Sequence, residues 1–94
     1  MNVRVNVPRA LTDFADGQSA IDVELGGQPT VGDVVRAVCD SHPALGRRII
    51  DETGELRRYV NVYVGSEECR RIGGLAAIIP AGAEVHIIGS IAGG

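Results

Sequence analysis

The chain has 94 residues, 45% of them apolar and 22% charged, and its 12 acidic and 9 basic side chains give a formal net charge of -3. That is one small folded domain, which buries about 60 to 65% of the surface its unfolded chain exposes, so a deep catalytic cavity would compete with its core. The acidic balance argues against a binder of nucleic-acid phosphates, and the longest apolar run, residues 75–79, is far short of the ~18 residues that span a bilayer.

From Asn2 to Val7 polar and apolar residues alternate, with Val3, Val5 and Val7 on one face, the period-2 pattern of a half-buried strand that Pro8 ends. A turn signal at Asp16-Gly17 follows, and Ile21, Val23 and Leu25 resume the alternation, which predicts a hairpin with a long loop. Gly26-Gly27-Gln28-Pro29 breaks the chain, and Thr30-Val31-Gly32-Asp33 has the capping pattern in which a threonine satisfies free amides at a helix start. Val31, Val34, Val35 and Val38 then form one apolar stripe, whose burial offsets the weak helix propensity of valine.

His42-Pro43 is read as the end of that helix, because the residue before a proline disfavours helical angles, and the stretch to Glu55 as irregular. Val60, Val62 and Val64 alternate with Tyr59, Asn61 and Tyr63, which predicts a third strand in the middle of the sheet. Leu75 to Ile79 suits a helical turn or short strand, Pro80-Ala81-Gly82 a turn, and Glu84 to Ile88 a last strand with Val85 and Ile87 on one face and Glu84, His86 and Ile88 on the other. The order is that of an α+β fold of the β-grasp kind, a mixed sheet of four to five strands packed on one main helix over residues 1–89.

Residues 90–94 are read as a flexible tail that ends in Ala92-Gly93-Gly94. Extended, it reaches ~16 to 18 Å, and two residues without Cβ suit passage through a narrow channel into a partner's active site.

The remaining chemistry-bearing residues point to no second site. Cys39 and Cys69 are too few for a disulfide framework or an iron–sulfur cluster; Cys39, beside the valine stripe, is expected to be a small buried side chain, and no base is placed to activate Cys69. His42 is positioned to meet the carbonyl end of the helix and His86 an exposed strand face, an isolated pair for which no metal is expected. The basic residues are all arginines; the pairs 47–48, 57–58 and 70–71 are read as solvated loop residues, with an acidic partner as the alternative. The glycines match neither a phosphate-binding loop nor a dinucleotide fingerprint, so ATP is not expected to bind here.

Arg58-Tyr59-Val60-Asn61-Val62-Tyr63-Val64, the turn Pro80-Ala81-Gly82-Ala83-Glu84-Val85 and the end Ile91-Ala92-Gly93-Gly94 resemble the ThiS/MoaD family of ubiquitin-like sulfur carriers over essentially the whole chain. Within it the similarity is greatest to the branch serving thiocarboxylate-dependent cysteine synthesis. Gly89 stands where that family often has a proline before the tail, and Ile91 where it commonly has valine.

The resemblance implies that an E1-like adenylyltransferase uses ATP to activate the Gly94 carboxylate, and that a rhodanese-type or cysteine desulfurase system supplies sulfur for a thiocarboxylate. A downstream enzyme of cysteine, thiamine, molybdopterin or secondary-metabolite synthesis then accepts that sulfur. The carrier itself would be a cytoplasmic co-substrate, not an enzyme, with Gly94 as the reacting residue and Gly93, Ala92 and Ile91 as the threading segment. Ile88, Tyr59 and Tyr63 are the candidate partner-docking surface, since apolar and tyrosine side chains on an open strand face suit an interface; the alternatives are that Ile88 is covered by the fold and that the tyrosines pack under a loop. The competing readings are a ubiquitin-like modifier conjugated through Gly94, the small subunit of a molybdopterin-synthase-like complex, and a structural adaptor for which the tail is irrelevant.

Overall fold

The computed structural model describes residues 1–89. Strand β1 (Asn2–Asn6) pairs antiparallel with β2 (Ala20–Glu24), Val3 opposite Val23 and Val5 opposite Ile21, so the alternation of each strand puts its apolar residues on the same side. The connection carries a 3₁₀ segment at Arg9–Ala15, closed by Asp16 at φ 55° and Gly17 at φ 79°. These left-handed angles are cheap for glycine and tolerable for aspartate.

Helix α1 (Val31–Ser41) starts as the capping pattern predicts. The Asp33 amide donates to Thr30 Oγ1 at 3.1 Å while the Thr30 amide donates to Asp33 Oδ2 at 2.9 Å, which satisfies two donors at the helix start. Its four stripe valines are buried on the sheet, each stabilising the fold by about 1.5–3 kcal/mol relative to exposure.

A second helix, α2 (Pro43–Ile49), replaces the irregular stretch expected after His42. Pro43 does stop α1, but it occupies the first turn of α2, where a missing N–H costs nothing and a fixed φ is already helical. Leu45 and Ile49, four apart, are fully buried. The two helices approach so closely at Gly46 that a Cβ there would lie 2.5 Å from Cys39 Sγ.

Strands β3 (Val60–Val64), β4 (Glu67–Glu68) and β5 (Val85–Gly89) complete a five-stranded mixed sheet in the order β2-β1-β5-β3-β4. The middle place belongs to β5, not to β3 as its alternation suggested. β5 runs parallel to β1 and antiparallel to β3, and β3 is interior only because the two-residue β4 covers its far side. Leu75–Ile79 is a 3₁₀ turn followed by a single bridge from Ile78 to Thr30. Among the described residues no helix is long and apolar enough to cross a membrane.

Candidate functional site

The sheet has two faces of opposite character. Val3, Val5, Val60, Val62, Val64, Val85 and Ile87 turn inward and are buried under the helices. The other parity of the same strands is uncovered, and its centre is Ile88 on β5, 46% exposed. Ile88 sits opposite Asn61 and His86 opposite Tyr63, so Ile88 and Tyr63 are diagonal neighbours close enough for contact.

Polar side chains frame that apolar spot. Asn6 Nδ2 donates to Glu84 Oε1 at 2.8 Å and lies 3.1 Å from His86 Nδ1, while Arg70 Nη1 donates to Asn61 Oδ1 at 3.2 Å. Arg70 also donates through Nη2 to the Arg57 carbonyl at 2.9 Å, which ties the start of β3 to the 3₁₀ segment Cys69–Arg71. Sequence reasoning found Ile88 and Tyr63 from parity but missed this frame, whose members come from segments far apart in the chain.

Tyr59 is elsewhere. It precedes β3, in the turn closed by the Val60 amide on the Arg57 carbonyl, and lines a groove with Pro8, Leu11 and Arg48 rather than the uncovered face beside Ile88. Gly89, paired with Val60 at the end of β5, borders the same groove. Ile91, Ala92, Gly93 and Gly94 lie outside the described residues.

The two thiols differ in their burial. Cys69 is fully buried, and Cys39, expected inside, is only partly covered. Burial, aided by Glu68, pushes the Cys69 thiol above its ordinary value of 9.0, and burial together with Asp40 does the same for Cys39, so neither is prepared as a thiolate nucleophile near neutral pH. His42 lies 3.5 Å from Asp16 Oδ2 and His86 is half-buried within the polar frame. Arg47 and Arg48 are helical, in the last turn of α2, and not loop residues.

No family model matches the chain. The sulfur carrier protein CysO of Mycobacterium tuberculosis is 34% identical over 96 residues, covering all of both chains. The CysO of Amycolatopsis orientalis, solved in complex with BexX, superposes with a TM-score of 0.82 at 34% identity, covering 98% of this chain and 99% of that one. The small archaeal modifier protein SAMP1 of Haloferax volcanii superposes with a TM-score of 0.84 at 29% identity over the whole of both chains.

Proposed function

This chain belongs to the ubiquitin-like sulfur carriers of the ThiS/MoaD type, and we propose that the Gly94 carboxylate is the group through which it carries sulfur. The full-length similarity to CysO carries this reading, because it includes the segment ending in Ala92-Gly93-Gly94. The fold supports it: residues 90–94 follow directly in sequence on β5, the central strand of the sheet, which is paired on both sides.

In the proposed reaction an E1-like enzyme brings ATP to the tail. A Gly94 carboxylate oxygen attacks the α-phosphorus, pyrophosphate leaves, and an acyl-adenylate forms. A persulfide or sulfide sulfur from the donor system then attacks the acyl carbon and expels AMP. Where a persulfide was used, the product is an acyl disulfide, and a second thiol of the donor system attacks the donor's sulfur, forms a disulfide with it and releases the thiocarboxylate. Activation is needed because a carboxylate is a poor acyl donor until it carries a good leaving group. Gly93 and Ala92 suit a narrow channel, Ile91 follows them as an apolar contact, and Ile88 with Tyr63 offers the enzyme an apolar anchor inside a polar rim.

That the Amycolatopsis orientalis CysO forms a complex with BexX supports a partner that docks the folded carrier, and a downstream enzyme that accepts the sulfur is the partner the chemistry requires. The protein acts as a co-substrate, with ATP and the catalytic groups supplied by its partners. A second reading, conjugation of Gly94 to a target amine, is favoured by the 32% identity to small archaeal modifier protein 1 over 92% of this chain, and it begins with the same adenylate.

Mass spectrometry of the intact protein and its C-terminal fragment, after incubation with an E1-like adenylyltransferase, ATP and a sulfide source, tests the proposal. The expected result is one oxygen-to-sulfur exchange localised to Gly94. No adenylate and no exchange, with an enzyme that activates another carrier of the family, overturns it.

A further inference from the structure

Beside the root of the tail lies a cleft that the reading above does not use. It has a volume of about 390 Å³ and is lined by Phe14, Ala44, Arg47, Arg48, Arg57 and Tyr59, three guanidinium groups and no carboxylate. Two of the three are held in place. Arg48 Cζ lies 4.3 Å from the centre of the Phe14 ring, and Arg57 donates its Nε–H to the Arg47 carbonyl at 2.8 Å, which leaves its terminal nitrogens available. Fixed guanidiniums lose less side-chain freedom when they bind an anion.

Among the described residues none of these three arginines is within 4.0 Å of a carboxylate oxygen, although Arg4, Arg36 and Arg70 are so paired. Asp51 and Glu52 border Arg47 and Arg57 from the neighbouring cavity and offset part of their charge, Asp51 while accepting from the Thr53 and Glu55 amides, but neither lines the cleft itself. In a chain of net charge -3, the cleft is a local concentration of positive charge.

Arg48 and Tyr59 are shared with the smaller apolar groove of about 140 Å³ that Gly89 borders. Gly89 precedes the residues that an activating enzyme would take up, so the groove it borders, and through Arg48 and Tyr59 the cleft, are within reach of such an enzyme. The cleft is open to solvent, so a small anion in it stays hydrated. An acidic segment of a protein already anchored on the tail binds at a high effective concentration. Arginine and tyrosine are also the residues most enriched where interface energy concentrates.

We infer that the Arg47–Arg48–Arg57 cleft is a second docking site for the activating enzyme, and that it receives an aspartate- or glutamate-rich segment of that enzyme. This rests on the sulfur-carrier activation proposed above. It adds an electrostatic contact, away from the uncovered face around Ile88, that steers the carrier before the tail engages.

The test is the steady-state kinetics of adenylation by an E1-like adenylyltransferase, with the full chain as varied substrate at low and raised sodium chloride. Three variants are compared with the wild type. Arg47→Glu leaves the carbonyl that holds Arg57 in place. Arg47→Ala with Arg57→Ala removes two charges from the cleft, and Arg36→Ala with Arg71→Ala removes two charges from elsewhere. Circular dichroism verifies that each is folded.

The expected result is a KM raised about tenfold by Arg47→Glu and by the cleft double variant at low salt, with kcat unchanged and the salt dependence flattened. The control pair stays within about twofold of wild type, as expected of exposed charges away from an interface. Wild-type KM and salt dependence in both cleft variants overturn the inference, as does an equal effect of the control pair, which would mean that only net charge matters. A wild-type chain that is not adenylated at all sinks the activation reading and removes the partner on which the inference depends, an outcome distinct from normal adenylation that ignores the arginines.

Discussion

Strand β5 presents Ile87 and Ile88 to opposite sides of one sheet, and these neighbours in the chain have unlike surroundings. Ile87 is 4% exposed in the valine-rich core, whereas Ile88 is 46% exposed on the face that also carries Asn6, Asn61 and His86. The inner face holds the domain together by excluding water, and its residues are interchangeable in kind as long as they are apolar and fit. The outer face contributes little to stability, so its composition is free to serve recognition. Strand parity alone thus separates the residues that hold the domain together from those left open to a partner.

Truncating the inner residue gives the largest expected effect. Ile87→Ala lowers the unfolding free energy by about 2–5 kcal/mol, or about 10–30 °C in Tm for a domain of this size, as read by urea and thermal denaturation. A loss below about 1 kcal/mol would mean that the inner face is less closely packed than its burial indicates.

The cap that seats α1 on that face comes next. Thr30→Ala costs about 1 kcal/mol in the same experiments. Its partner gives the cap a pH signature, because the Thr30 amide first and the Thr30 hydroxyl second hold the Asp33 carboxyl below its ordinary value of 3.8. A depressed folded pKa contributes stability that is fully present above the unfolded value and lost as pH falls through the folded one. Asp33→Asn is therefore less stable than wild type at neutral pH, and the two converge as the solution is acidified below pH 3.8. Parallel curves across that range would show that the carboxylate adds nothing to the cap.

The smallest effect on stability belongs to the outer residue, where its functional effect is the sharper test. Ile88→Ala changes the unfolding free energy by no more than about 0.5 kcal/mol, while KM in the adenylation assay rises several-fold. A large stability loss would break the contrast between the faces, and an unchanged KM would remove the outer face from docking.

Periodicity made most of this fold legible in the sequence, because each strand has one buried face and α1 carries a sustained stripe. It failed at α2, where seven residues are too few to show a period and Pro43, read as a stop, was also a start. It also failed on the sheet order. The alternation of Val60 to Val64 reports burial on one side but not which strands lie alongside, and the middle place of β5 is set by a parallel pairing with β1 across most of the chain. Of the residues proposed for docking, Ile88 and Tyr63 lie on the strand face that parity gave them, whereas Tyr59 does not, since alternation has no meaning in the turn before β3. The arginine cleft was invisible for a further reason. Phe14, Arg48 and Arg57 belong to a 3₁₀ segment, a short helix and a turn, and only the packing of α2 brings them together.

The central position of β5 also bears on how the protein is made. It is the last of the described strands to leave the ribosome, and β1, the first, remains without its inner neighbour until then. Pairing across so long a separation has a high closure entropy and comes late in folding. Nascent or truncated chains that lack β5 cannot complete the sheet, and they also lack the segment that follows it. Residues 90–94 thus follow the strand on which the whole sheet depends, and a chain cut short before β5 loses the complete fold and Gly94 together.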